Sequence, residues 1–176
     1  MSTIAYQCPC CGAPLAYGAE SGKLECEYCG SVQTIPKVDD EKKLTLFARA
    51  NRLRFNNEFD KAAGVYEAIV ADFPEEAEAY WGLVLCQYGI EYVDDPKTGK
   101  KIPTCHRSSF ESVMEDGNFE LTLEYADVTA REVYRAEAKQ IEELRRGIIA
   151  VSAKEEPYDI FICYKETDDK GERTID

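Results

Sequence analysis

Phe59-Asp60-Lys61-Ala62-Ala63-Gly64-Val65-Tyr66-Glu67-Ala68-Ile69-Val70-Ala71-Asp72-Phe73-Pro74 is the stretch that sets the fold class. Its apolar positions Phe59, Ala62, Ala63, Tyr66, Ile69, Val70 and Phe73 recur at intervals of three and four, the spacing that gathers side chains on one helix face. Pro74 stops the pattern, because it lacks the next backbone donor. Upstream, Leu46, Phe47, Ala50 and Leu53 mark an earlier helix, with Asp39-Asp40 to cap its start and Asn56-Asn57 to break it. Downstream, Ala77, Tyr80, Trp81, Val84, Leu85 and Tyr88 mark a third. The chain is therefore expected to be mainly α.

Further along, Glu91–Arg107 interrupts the helical pattern. Asp94-Asp95-Pro96-Lys97-Thr98-Gly99 reads as a turn between short extended arms, a hairpin insertion at 91–107. Asn118-Phe119-Glu120-Leu121-Thr122-Leu123-Glu124-Tyr125-Ala126 resumes the helix. Ala130, Tyr134, Ala138, Ile141, Leu144, Ile148 and Val151 then form a seam spaced by three and four, predicting one long helix over about 129–152. Glu132, Arg135, Lys139, Glu142, Glu143, Arg145 and Arg146 run beside that seam as a solvated face. Packing back on the preceding helices as a cap, or self-association along 130–151, would each bury the seam.

Upstream of the helices stand two knuckles, Cys8-Pro9-Cys10-Cys11-Gly12 and Cys26-Glu27-Tyr28-Cys29-Gly30, with 14 residues between Cys11 and Cys26. Two thiolates on one tetrahedral ion must converge to about 2.3 Å from it, and two intervening residues let the backbone turn tightly enough. Gly12 and Gly30 follow a second cysteine, where positive φ is easiest for glycine. Cys8, Cys11, Cys26 and Cys29 are thus the expected metal ligands, with Zn2+ as the ion and disulfides or an iron centre as alternatives. Cys10 is the spare, since adjacent Cys10 and Cys11 cannot both point at one ion. Four thiolates leave no open coordination position for catalysis. Pro14–Tyr17 and Lys23–Cys26 read as a hairpin around Gly18–Gly22, with Val32–Ile35 as a third strand. So small a module cannot fold on its apolar core alone, and metal must hold it together.

Composition narrows the function. The chain has 176 residues, is 44% hydrophobic and 31% charged, and carries a net charge of −13. Residues 1–37 hold just two basic side chains, Lys23 and Lys37. A phosphate-binding surface needs clustered Lys and Arg, so nucleic acid is disfavoured as a partner. No apolar run reaches the roughly 18–20 residues of a membrane span, and the first residues lack a secretory pattern. Eight cysteines in such a chain point to a reducing cytoplasm and to metal. Cys86 reads as a small hydrophobe on an apolar helix. Cys105 beside His106, the single histidine, has no ligand spacing and no base-plus-orienter set for catalysis.

Three resemblances follow. Residues 6–36 resemble a zinc ribbon. Over 44–90 the chain resembles a tetratricopeptide repeat: Ala50, Ala62, Tyr66 and Pro74 fall where that repeat expects small, small, aromatic and proline, and Tyr80-Trp81 stand 34 residues after Leu46-Phe47. Over 108–127 this likeness is partial. Finally, Tyr158-Asp159-Ile160-Phe161-Ile162-Cys163-Tyr164, directly after Pro157, resembles the first strand of a Toll/interleukin receptor (TIR) domain, which opens a parallel α/β fold. The order of the three parts resembles a group of bacterial TIR proteins.

The resemblance implies a zinc ribbon at 1–37, a tetratricopeptide-like helical region at 40–153, and the start of a TIR domain at 156–176, cut off after its first strand. It implies a sensing or assembly role through protein partners held by the repeat helices, within a family that signals by TIR self-assembly. Many bacterial members cleave NAD+ at the nicotinamide bond in defence against phage. The family's catalytic glutamate lies downstream of Asp176, so no glutamate here is assigned to it and this chain is not expected to be an enzyme. The rival expectations are a stand-alone zinc-ribbon and repeat adaptor binding other proteins, and a nucleic-acid-binding zinc-ribbon protein.

Overall fold

The computed structural model of the chain describes residues 6–15, 23–37 and 40–154. The TIR-like strand at 158–164 and the Gly18–Gly22 loop lie outside the described residues. What is described is mostly helical, with small antiparallel strand pairs and a cysteine cluster near the N-terminus.

Four short strands carry the knuckles: β1 (Tyr6–Gln7), β2 (Pro14–Leu15), β3 (Lys23–Glu25) and β4 (Val32–Thr34). Their pairing corrects the expected hairpin of 14–17 with 23–26. β1 pairs with β2 and β3 with β4, as two separate ladders. The reason is the knuckle itself, because each C-x-x-C turn folds the chain back within a few residues. Gly12 N–H donates to Cys8 O at 2.8 Å and Cys8 N–H to Ala13 O at 2.8 Å. The second knuckle repeats this, with Gly30 N–H on Cys26 O at 2.8 Å and Cys26 N–H on Ser31 O at 2.9 Å. Gly12 and Gly30 have φ of 75° and 65°, the left-handed conformation in which a Cβ would be strained.

The helices follow the predicted stripes. α1 (Glu41–Phe55) is capped by the Asp40 carboxylate, which accepts from Lys43 N–H at 2.9 Å. It ends at Asn56, with Asn57 at φ 60°, a conformation Asn tolerates better than most residues. α2 (Phe59–Asp72) buries Phe59, Ala62, Val65, Tyr66 and Ile69. α3 (Ala77–Gln87) is buried on nearly all sides and includes Ala79, Trp81, Gly82, Val84, Leu85 and Cys86. Tyr80, expected on its inner stripe, is instead half-buried and stacks on Tyr125 at 5.8 Å.

The insertion forms the expected hairpin. β5 (Ile90–Asp94) pairs antiparallel with β6 (Lys101–Cys105) from Ile90↔Cys105 to Asp94↔Lys101. Its turn is fixed by Asp95, which accepts from Lys97 N–H at 3.0 Å and the Thr98 hydroxyl at 2.6 Å. A short 3-10 turn (Val113–Glu115) leads into α4 (Gly117–Tyr125), capped by Asp116. The last element is α5 (Val128–Ser152), capped by Asp127 and spanning 25 residues, or about 37 Å at the usual rise.

α3 is the partition between two cores. On one side Phe47, Ala50, Phe59, Ala62, Tyr66 and Ile69 pack with Tyr6, Cys8, Cys10, Leu15 and Cys26, so knuckles and first helical hairpin share one interior. On the other, Trp81, Val84, Leu85 and Tyr88 pack with Phe119, Ala130, Tyr134, Ala138 and Ile141. Here Trp81 meets Tyr134 at 5.4 Å and Phe119 at 5.9 Å between ring centroids. Gly82 lets α2 and α3 close up: a Cβ there would lie 2.4 Å from the Tyr66 ring, a contact no side chain tolerates.

α5 divides along its length. Ala130, Tyr134, Ala138 and Ile141 are buried against the body, Leu144 and Ile148 are half-buried, and Val151 is exposed. Glu142 locks the middle of the helix. It pairs with Arg145 at 2.7 Å and Arg146 at 2.7 Å and accepts from Val113 N–H at 3.3 Å. The Arg145 hydrogen bond is the main cause that holds the Glu142 carboxyl down at about 2. No helix of the described residues is long and apolar enough to cross a membrane.

Candidate metal centre

Each knuckle, closed by its own strand pair, presents a pair of sulfurs, and the two pairs face each other. The Sγ atoms of Cys8, Cys11, Cys26 and Cys29 all lie within 4.8 Å of one another. Across the gap, Cys8 and Cys29 are 3.8 Å apart and Cys11 and Cys26 are 3.7 Å apart. A tetrahedral ion with sulfur bonds of about 2.3 Å requires edges of about 3.8 Å. A disulfide would need about 2.05 Å, and all four cysteines are free. The residues present therefore fit a tetrahedral metal ion, and the predicted ligands come together as one set.

The spare cysteine is elsewhere. Cys10 is buried within the core shared with α1 and α2 and is outside the four-sulfur group. Cys86 sits in the same core, 1% exposed, as expected of a small apolar residue. Cys105 is half-buried on β6, and His106 Nε2 contacts Glu91 Oε2 at 2.5 Å on the hairpin.

The thiols respond unequally to their surroundings. Hydrogen bonding from Cys10 pulls Cys8 down, to about 3. Burial pushes Cys11 up to about 12 and raises Cys26. Without a cation between them, the four sulfurs cannot all hold negative charge; a metal cation offsets that charge and displaces the remaining protons.

Three residues that sequence reasoning missed surround the sulfurs. The Ser31 hydroxyl lies 3.0 Å from Cys29 Sγ and 3.8 Å from Cys8 Sγ. The Gln33 amide oxygen accepts from the Cys8 thiol at 3.5 Å. Lys101, brought over by β6, is held by Asp94 at 3.0 Å. Its ammonium is raised first by that hydrogen bond, with Cys11 and Cys29 adding to the field. A tetrathiolate centre carries excess negative charge, which a hydrogen bond from the Ser31 hydroxyl and the Lys101 ammonium would offset. Ser31 and Gln33 lie just past the second knuckle and were legible as neighbours of a ligand. Lys101, 72 positions after Cys29 in the chain, was not.

Buried polar groups fasten this centre to the helices. Arg54, 3% exposed, donates to Pro9 O of the first knuckle at 2.9 Å and to Ile90 O of the hairpin at 3.3 Å. Tyr66 Oη donates to Asn51 Oδ1 at 2.6 Å, and Asn51 Nδ2 donates to Tyr6 Oη at 3.2 Å. Glu78 on α3 accepts from the Thr34 hydroxyl of β4 and from Tyr134 Oη of α5 at 2.8 Å. Burial pushes the Glu78 carboxyl up to about 8 and Glu137 to about 7. Lys43 and Glu76 form an ion pair at 2.7 Å, with side chains 2% and 4% exposed. Both remain satisfied where an isolated buried charge would be costly.

The closed sulfur set can hold a metal and has no free position at which to do chemistry on a substrate. Comparison of the chain with protein-family models, with curated proteins and with solved structures gave no match.

Proposed function

We propose that the chain is a zinc-stapled protein-interaction platform, in which a four-thiolate zinc ion fixes the N-terminal knuckles onto tetratricopeptide-like helices. The observation that carries this is the closed cluster of Cys8, Cys11, Cys26 and Cys29 with edges of 3.8 and 3.7 Å, at the edge of a core shared with α1 and α2. Such a site stabilises and does not catalyse. Zinc is the ion that this ligand set favours, since thiolates with tetrahedral geometry select zinc or iron–sulfur centres.

The resemblance of residues 158–164 to the first TIR strand supports placing this platform at the N-terminal side of a bacterial TIR signalling protein. Its role there is sensing or assembly. NAD+ cleavage is proposed only for relatives that carry the catalytic glutamate of the TIR family. The far end of α5 supports assembly by self-association: Leu144, Ile148 and Val151 continue the seam beyond the body, and Val151 is 60% exposed.

Two measurements test the reading. Metal analysis of purified protein is expected to find one zinc per chain, and iron or no metal would remove the zinc staple. Sedimentation near 10 µM is expected to show a dimer that Ile148→Glu returns to monomer. A monomer before and after substitution would remove the assembly role.

A further inference from the structure

A groove of about 380 Å³ opens where the metal module, the β5–β6 hairpin and α5 meet. Such a volume falls within the roughly 300–1,000 Å³ of small-molecule sites. Its walls are mainly apolar, with Val32 from β4, Tyr92 and Pro103 from the hairpin, and Val133 and Ala136 from α5; the Lys101 ammonium and the Glu132 carboxylate also border it. No single element makes it. It exists only when the knuckles, the hairpin and the long helix are docked together.

Behind it lies a chamber of about 20 Å³ of mixed lining, with the Glu78 carboxyl in its wall, and Cys10, Val32, Tyr92 and Glu137 border both spaces. That is room for one water-sized atom, since about 10–15 Å³ suffices. Arg54 and Gln33 line the chamber, and they are 3% and 5% exposed. Arg54 Nε and Gln33 Nε2 have no hydrogen-bond partner among the described residues. Arg54 donates to the backbone carbonyls of Pro9 and Ile90 and interacts with the Tyr66 hydroxyl, and its guanidinium lies over the Tyr92 ring at 5.6 Å. A buried cationic fork whose remaining donor faces a cavity is matched by an anionic oxygen. Gln33 contributes an amide with one end toward the Cys8 sulfur and the other toward the chamber. Glu137, held partly protonated near neutrality by burial, can donate its proton to the same oxygen.

We propose that this groove and chamber form a binding site for a small organic carboxylate, with one carboxylate oxygen reaching Arg54 and Gln33 and an apolar body lying along Val32, Tyr92 and Val133. The ligand is about the size of a hydrophobic amino acid or short-chain acid. Its occupancy would couple the metal module, the hairpin and α5 by bridging all three.

The chain provides its own reporter, because Trp81 is its single tryptophan and lines the chamber. The probes are isovalerate and 3-phenylpropionate, each against its neutral amide, titrated into the zinc-loaded full chain while Trp81 emission is followed. The expected result is a saturable change with a carboxylate below about 10 mM. The matching amide should bind at least about tenfold more weakly, because it lacks the charge-assisted hydrogen bond. Ala136→Phe, at an exposed position of α5, should fill the groove and abolish the response while circular dichroism stays unchanged. Gln33→Leu should weaken it. No saturable change with either acid would overturn the site. Equal binding of acid and amide would overturn the anionic head, and an undiminished response in Ala136→Phe would overturn the location.

Discussion

The two cores on either side of α3 are built on different principles. The core facing α4 and α5 is an aromatic and aliphatic cluster around Trp81, Phe119 and Tyr134, closed by caps at Asp116 and Asp127. The core facing α1 and α2 includes the knuckle cysteines Cys8, Cys10 and Cys26, and buried polar groups run through it: Arg54, Asn51 and the Glu78 carboxyl at its border. The first gains its stability from burying apolar area. The second has strands of two or three residues, too short to hold themselves together, and in the proposed reading a metal ion at the four cysteines cross-links it. A small module without enough apolar area can still be rigid if an ion joins its turns and its polar groups reach into a neighbour.

Removing the metal breaks this comparison most severely. Chelation, or Cys26→Ser, takes away a contribution on the order of 10 kcal/mol in small zinc modules. Hydrogen exchange should then show protection lost in 23–34 and in α1, with α4 and α5 retained. Uniform loss across both cores would mean that they are one cooperative unit. Phe119→Ala attacks the other core and should cost about 3–5 kcal/mol in urea unfolding, while zinc content remains at one per chain. Loss of zinc in that variant would contradict the division.

Glu78 sharpens the contrast through pH. Its folded carboxyl is raised from 4.5 to about 8, so the folded state holds a proton that the unfolded state releases. That stabilising contribution is complete below about pH 4.5 and is lost as pH rises toward 8. Stability between pH 5.5 and 8.5, read by denaturant midpoints, should fall less steeply in Glu78→Gln than in the parent. An unchanged slope would place the titration elsewhere. Gly82→Ala pushes α3 from the Tyr66 ring and should cost about 1–3 kcal/mol, loosening both cores at their shared wall. The smallest effect is expected from Asp116→Ala, about 1 kcal/mol from a lost helix cap, confined to the α4 side.

The helices and the four-cysteine cluster were legible because both follow local rules. Three-and-four spacing identified α2, Asp40 and Asn56-Asn57 bounded α1, and C-x-x-C-G located the four sulfurs and the positive-φ glycines. The strand pairing was not legible, because ladders of two and three residues carry no periodicity, and the knuckle turn overrode the apparent hairpin of 14–17 with 23–26. Arg54, Glu78 and Glu137 were also hidden. A polar side chain in a helical sequence reads as solvent-facing, and only tertiary contacts reveal that the knuckles, the hairpin and α5 cover it. Arg54 carried one local signal, since it lies three and four positions after Asn51 and Ala50 on the buried face of α1. Lys101 near the thiolates is a product of the hairpin's docking, which nothing within 91–107 announces.

The central claim is that one metal ion, held by Cys8, Cys11, Cys26 and Cys29, fastens the knuckles to the helical body. Cobalt substitution tests it most directly. The account predicts one Co2+ per chain with the intense visible and near-ultraviolet bands of a tetrahedral four-sulfur site, displaced stoichiometrically by Zn2+ and absent in Cys26→Ser. Weak octahedral bands, or full binding retained in Cys26→Ser, would contradict it.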